Sequence, residues 1–211
     1  MLDARARALL ASPIDRLVRW LDRAWLTPGM LTAAGLVIGL ASAGAAAARA
    51  WFVALALWLV SRLLDGVDGP LARRRGGGSA FGGFADIVSD FTVYGAFVVG
   101  MAVGTGEYLP FLFVLLAYYI NGAAFLAFSS IAERVGRQID DGRSLSFVGG
   151  LTEGTETVAS GVLFCLLPQY AGLQYAGLLA WIWAAAVAFT ACQRVVFARR
   201  ALSTAGWGRK V

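Results

Sequence analysis

Apolar residues run along this chain in long stretches broken by short polar ones. These stretches are too long and too uniform for the alternation of a half-buried strand or the single stripe of a soluble helix. Leu31–Ala48 is a Gly- and Ala-rich first stretch, and Ala50–Leu64 opens a second whose helix continues through Asp65 toward Arg73. Phe81–Gly104 and Leu109–Ile131 are the third and fourth; Thr155–Leu167 and Gly172–Ala198 are the fifth and sixth, with Pro168 marking the turn between them. The pattern predicts an all-α integral membrane protein, a six-transmembrane-helix bundle with both termini on one side. Ahead of the bundle, Ser12 offers a cap and Pro13 suits a first helical position. Ile14, Leu17, Val18 and Leu21 then recur at helical spacing opposite Arg16, Arg19 and Arg23. That predicts an N-terminal amphipathic surface helix, acting as a membrane anchor or as a lid over the bundle's site.

Composition agrees: 59% of the 211 residues are hydrophobic and 15% charged. The length holds one bundle and no separate soluble domain, which divides the chain into an amphipathic segment 1–26, a transmembrane bundle 27–200 and a basic tail 201–211. Of the 18 Lys and Arg residues, all but Arg49 fall in the N-terminal segment, the links between spans two and three and between spans four and five, and the C-terminal end. The positive-inside rule therefore puts both termini, and the link after span two, in the cytoplasm. The formal charge of +5 needs no nucleic-acid partner, because topology and attraction to anionic membrane lipids account for it. Cys165 and Cys192 have no metal-binding spacing and read as small apolar residues.

Four carboxylates interrupt this pattern where it is least expected, in "DGVDGPLARRRGGGSAFGGFADIVSD". An aspartate at the centre of a span costs roughly 2.5–3.5 kcal/mol on insertion scales, so four together need a compensating reason. Asp65 and Asp68 are three apart and Asp86 and Asp90 four apart, so each pair shares one helix face. Gly76, Gly77 and Gly78 permit the reversal that brings the two helices side by side. Four converging carboxylates repel unless cations join them. Oxygen donors in a chain without histidine favour magnesium or manganese, two ions balancing four charges. The alternative is an ion-pair cluster with Arg62, Arg73, Arg74 and Arg75. Gly69, Ala72 and Gly82 leave bare backbone beside the carboxylates, and Arg73 offers a planar fork for a phosphate. Together these describe a pyrophosphate site.

Asp65, Asp68, Gly69, Ala72, Arg73, Gly82, Asp86 and Asp90 fit, without gap or substitution, D-x2-D-G-x2-A-R-x8-G-x3-D-x3-D. This resembles the signature of the CDP-alcohol phosphotransferases. The resemblance implies a six-helix homodimer in a bacterial or archaeal-type cytoplasmic membrane, with its site open to the cytoplasm. It implies that Asp65, Asp68 and Asp86 hold one Mg2+ or Mn2+, that Asp65, Asp86 and Asp90 hold a second, and that Asp90 is the base. Gly69, Ala72 and Arg73 would receive the cytidine diphosphate of a CDP-linked lipid, CDP-diacylglycerol first among the candidates. "LTPGMLT" is similar to the family's P-N-x-x-T element, which adds Thr32 and the Gly29 backbone, Gly29 standing where the family has Asn. Ser79 is a further donor-phosphate candidate. The implied reaction moves a substituted phosphate to a small alcohol and releases CMP.

The signature leaves the acceptor open among glycerol phosphate, inositol or its phosphate, serine and other alcohols. Arg134, Arg137, Arg143 and Arg194 lie at cytoplasmic helix ends, where they could read a phosphate. Glu153 and Glu156 at the mouth of span five would suit a polyol or amine, or simply start a helix. Two other classes compete with the enzyme. A divalent-metal transporter would use the aspartates as an ion path, but no acid lies in the middle or far half of any other span. A non-catalytic scaffold would have little use for the metal-site spacing.

Overall fold

The computed structural model describes residues 2–134 and 151–203. Seven helices make up the fold, with no strand among the described residues: α1 Leu2–Leu21, α2 Pro28–Ala47, α3 Trp51–Arg74, α4 Ala80–Thr105, α5 Tyr108–Arg134, α6 Gly154–Tyr170 and α7 Leu173–Ser203. Helices α2 to α7 correspond to the six expected apolar stretches. Four of them, α2, α4, α5 and α7, are long and apolar enough to cross a membrane. The other two differ for separate reasons: α3 carries Arg62, Asp65 and Asp68 within its length, and α6 has 17 residues.

Thr27 caps α2 by accepting from the Met30 amide (3.2 Å), with Pro28 at the first position, where its missing N–H costs nothing. Ser79 caps α4 in the same way through the Gly82 amide (2.9 Å). Between α3 and α4 the chain reverses at Gly76 and Gly77, whose φ angles of 97° and 114° need residues without a Cβ. α2 packs closely against both α3 and α4, and α5 against α7. Small residues make the α2–α4 contact possible: a Cβ on Gly100 would lie 2.2 Å from the Ala43 carbonyl oxygen, and one on Gly104 2.1 Å from that of Ala46. The main core is aromatic, with Trp58 stacked on Phe97 (centroids 4.3 Å apart) and Phe111 beside Phe164.

Two proline assignments are corrected. α1 runs from Leu2 with Pro13 inside it, so Ser12 and Pro13 do not begin the helix. Pro168 likewise lies inside α6 and is buried; the turn follows at Ala171–Gly172, where Gly172 has φ of 120°. A proline within a helix removes one amide donor; apolar positions recur past Pro13, and the buried Pro168 stands two residues before the end of α6. The apolar face of α1 packs against the bundle. Val18 is buried with Leu26, Leu31, Val67 and Leu71, while Ile14, Leu17 and Leu21 pack around them at the end of α3. Away from that face Asp15 pairs with Arg19, and Trp20 and, just past the helix, Trp25 are exposed.

Candidate active site

The spacing in α3 and α4 turns both aspartate pairs toward each other. Asp65 is close enough to Asp90 and Asp86, and Asp86 to Asp68 and Asp90, for their charges to interact. Asp68 is 6% exposed and accepts from the Thr32 hydroxyl of α2 at 2.6 Å, so three helices meet at the cluster. Arg62 enters it as well. Its Nη1 donates to Asp90 Oδ1 at 2.6 Å and stands 3.7 Å from Asp65 Oδ2. The donor set suits a hard divalent cation, being all carboxylate oxygen in a chain without histidine. Among the described residues, no three acidic, histidine or cysteine side chains are drawn into a closed metal cage, and Arg62 lies against two of the four carboxylates.

Beside the carboxylates, the glycine backbone is accessible. Arg73 is exposed and folds over Gly69, its Nη1 standing 3.4 Å from where a Cβ of that residue would be. Ala72 is half-buried on the same turn, and Gly82 faces Ser79 at the start of α4. The Gly29 amide lies in the first turn of α2, where a helix offers no internal acceptor. Arg74 and Arg75 turn away from the aspartates. Arg74 Nε donates to Asp22 Oδ2 (3.0 Å), and Arg75 Nε to Asp22 Oδ1 (2.8 Å). Arg75 also donates to the carbonyls of Leu26 (2.6 Å) and Arg23 (2.7 Å), tying the α1–α2 link to the end of α3. Hydrogen bonds from Arg75 and then Arg74 hold the Asp22 carboxyl below the usual carboxylate range.

The acceptor candidates separate. Arg194 on α7 is buried, lies over the Phe125 ring (5.2 Å), donates to the Asn121 carbonyl (3.5 Å) and feels the charge of Glu153. Glu156 Oε2 accepts from the Glu153 amide at 3.1 Å in a capping box that starts α6. Thr152, buried beside it, donates to Thr190 Oγ1 of α7 at 2.8 Å and ties the two helices together. Arg134 is exposed at the end of α5, and Arg137 and Arg143 lie outside the described residues. Of the ion-pair cluster weighed from the sequence, Arg62 alone among the described residues pairs with the four aspartates, while Arg74 and Arg75 pair with Asp22. The i, i+3 spacing of Arg62 and Asp65 carried the signal for that pairing.

This geometry, a carboxylate pair on each of two helices beside a glycine-lined turn, is accompanied by a direct sequence match. The family model for CDP-alcohol phosphatidyltransferases covers residues 25–192. The chain belongs to that family. It is a membrane enzyme that transfers a phosphatidyl group from a CDP-linked donor to an alcohol. Among relatives, inner membrane protein YnjF of Escherichia coli (strain K12) is 39% identical over 176 residues, covering 81% of this chain and 84% of that protein. The archaetidylinositol phosphate synthase of Pyrococcus horikoshii is 31% identical over 101 residues, 48% of this chain and 54% of that one. The same fold is seen in Mycobacterium tuberculosis phosphatidylinositol phosphate synthase crystallised with CDP-DAG. Its TM-score is 0.72 at 22% identity, covering 94% of this chain and 98% of that one. The structure of that enzyme with manganese and citrate also gives a TM-score of 0.72 at 22% identity, covering 94% of this chain and 93% of that one.

Proposed function

We propose that Asp65, Asp68, Asp86 and Asp90 form the metal and catalytic centre for transfer from CDP-diacylglycerol to a small alcohol that itself carries a phosphate. The observation that carries this reading is the meeting of the two aspartate pairs with Thr32 beside Gly69 and Arg73. Asp65, Asp68 and Asp86 hold one divalent ion, and Asp65, Asp86 and Asp90 a second. When bound, the ions supply charge for the attacked phosphate and the departing CMP, and acidify the incoming hydroxyl. Asp90 takes that hydroxyl's proton, and no covalent enzyme intermediate is needed. Arg73 clamps a donor phosphate across the bare Gly69 and Ala72 backbone, with the Gly29 amide, Thr32, Ser79 and Gly82 lining the same cleft. The lipid's chains lie between apolar helices while its head stays at the polar boundary.

Arg194 favours the phosphorylated acceptor. A buried guanidinium on the α7 side of the bundle suits an anion better than a neutral polyol, and Glu156 is engaged in capping α6. The names of the P. horikoshii and M. tuberculosis proteins, both inositol phosphate lipid synthases, point the same way. The family resemblance supports a homodimer, and α3 and α6 complete a six-span bundle with both termini and the site cytoplasmic, an orientation that the basic-residue asymmetry supports. The division into an amphipathic segment 1–26, a bundle 27–200 and a tail 201–211 follows from it. Purified protein with labelled CDP-diacylglycerol, Mg2+ or Mn2+ and a panel of phosphorylated and plain alcohols tests the reading. A lipid phosphate product with the phosphorylated alcohols supports it, and product with the plain ones alone overturns the acceptor assignment.

A further inference from the structure

Arg62 does more than mark topology. A topology arginine is free to reach lipid headgroups, whereas this side chain is 6% exposed. Its guanidinium lies over the rings of Trp58 (5.5 Å) and Tyr94 (4.8 Å), and Nη2 donates to Ser61 Oγ at 3.1 Å. A cation taken out of water is stable only where its partners are fixed, and here two aromatic faces, a hydroxyl and two carboxylates supply them. The carboxylates are Asp90 and Asp65, at 2.6 Å and 3.7 Å. These are two of the three ligands assigned above to the second ion, so a guanidinium and a divalent cation claim the same oxygens. Their like charges, only a few ångströms apart, repel strongly in a half-buried site. Arg62 Nε is buried and has no acceptor among the described residues, which fits a side chain with a second resting position.

We propose that Arg62 is a resident cation that competes with one of the two divalent ions for Asp90 and Asp65. The metals then bind in two unequal steps. The first uses Asp65, Asp68 and Asp86 while Arg62 keeps Asp90; the second requires Arg62 to release Asp90. The proposal rests on the metal-ligand roles given under the proposed function. In the absence of the second ion, Arg62 holds the Asp90 carboxylate in position and limits the repulsion that would otherwise spread the α3 and α4 pairs apart. The device also ties full loading of the site to a movement of one side chain on the wall shared with Trp58 and Tyr94.

The test is a manganese titration of the purified full-length protein, free Mn2+ being followed by electron paramagnetic resonance, so that no turnover is needed. The wild type should bind two ions with dissociation constants at least tenfold apart. Arg62→Met should tighten the weaker step at least tenfold and leave the tighter one within a few-fold. Arg62→Lys, which keeps the charge, should retain the two unequal steps. Arg62→Gln keeps a hydrogen-bond donor without the charge and carries the same expectation as Met should Met fail to fold. Two ions bound with unchanged affinities in both neutral variants overturn the role of Arg62 alone, as does a weaker second step. No manganese on the wild type overturns the metal-site reading and this proposal with it.

Discussion

Thr32→Val removes a hydroxyl at the centre of the site, whose shorter contact is with Asp68 and whose longer one is with the Pro28 carbonyl at 3.2 Å. The Thr32 hydroxyl donates to Asp68 Oδ2 at 2.6 Å, and Asp68 is 6% exposed, so little water is available to replace that donor. Valine keeps the branched shape on α2 and removes only the hydroxyl, leaving the helix and its packing intact. A hydrogen bond to a charged group contributes about 1.5–3 kcal/mol. At about 1.4 kcal/mol per decade, its loss should weaken the tighter manganese step and the metal-supported binding of CMP about tenfold to a hundredfold. Calorimetry of CMP binding at fixed Mn2+, with the metal titration beside it, reads both quantities. Thr32→Ser, which restores the hydroxyl, should return to within a few-fold of wild type. Unchanged affinities in Thr32→Val, or tighter ones, would refute the idea that Thr32 holds Asp68 in its ligating position.

Asp90→Asn should abolish transfer while CMP binding survives, because Asp65, Asp68 and Asp86 still hold one ion; Asp65→Asn should lose both, and calorimetry with an activity assay separates the two. Arg194→Ala should raise the KM for a phosphorylated acceptor about tenfold or more and leave that for the CDP-lipid nearly fixed, the loss of one charge-assisted contact. Gly100→Ala forces a methyl to within 2.2 Å of the Ala43 carbonyl and should lower the detergent unfolding temperature, overpacking costing about 1–3 kcal/mol, whereas Gly95→Ala, with nothing within 4 Å, should not. Because Asp22 is held below its ordinary value of 3.8, its pairing with Arg75 and Arg74 contributes fully above that value and is lost as pH falls through the lower folded value. Protease access to the α1–α2 link should therefore rise on acidification below about pH 4, and Asp22→Asn should show that access at neutral pH.

The helices were legible because the apolar stretches are long, and the aspartate cluster because spacings of three and four put side chains on one helix face whatever the surroundings. The reversal at Gly76 and Gly77 was equally local, a matter of backbone freedom. What escaped was set by tertiary partners. Pro13 and Pro168 read as boundaries because a proline lacks an amide, yet packing around Val18 and within α6 outweighs one lost bond. For Arg62 an ion pair with the aspartates was one of two readings, and the choice of Asp90 as its nearest partner depends on α4 lying beside α3. Arg75 carries no motif of its own; its grip on Asp22, Arg23 and Leu26 exists only once α1 has folded against α3. Glu156 had both a binding and a capping reading, and the capping bond to the Glu153 amide could be chosen only from the geometry.

If the four aspartates are a metal-dependent phosphatidyl-transfer centre, CMP release from CDP-diacylglycerol depends on both the metal and the carboxylates. Purified wild type in detergent, given Mg2+ or Mn2+ and a mixture of phosphorylated alcohols, should release CMP in step with a new lipid phosphate identified by mass. Excess EDTA, Asp65→Asn and Asp90→Asn should each stop the release. CMP release that persists at full rate in EDTA or in both aspartate variants would contradict the account.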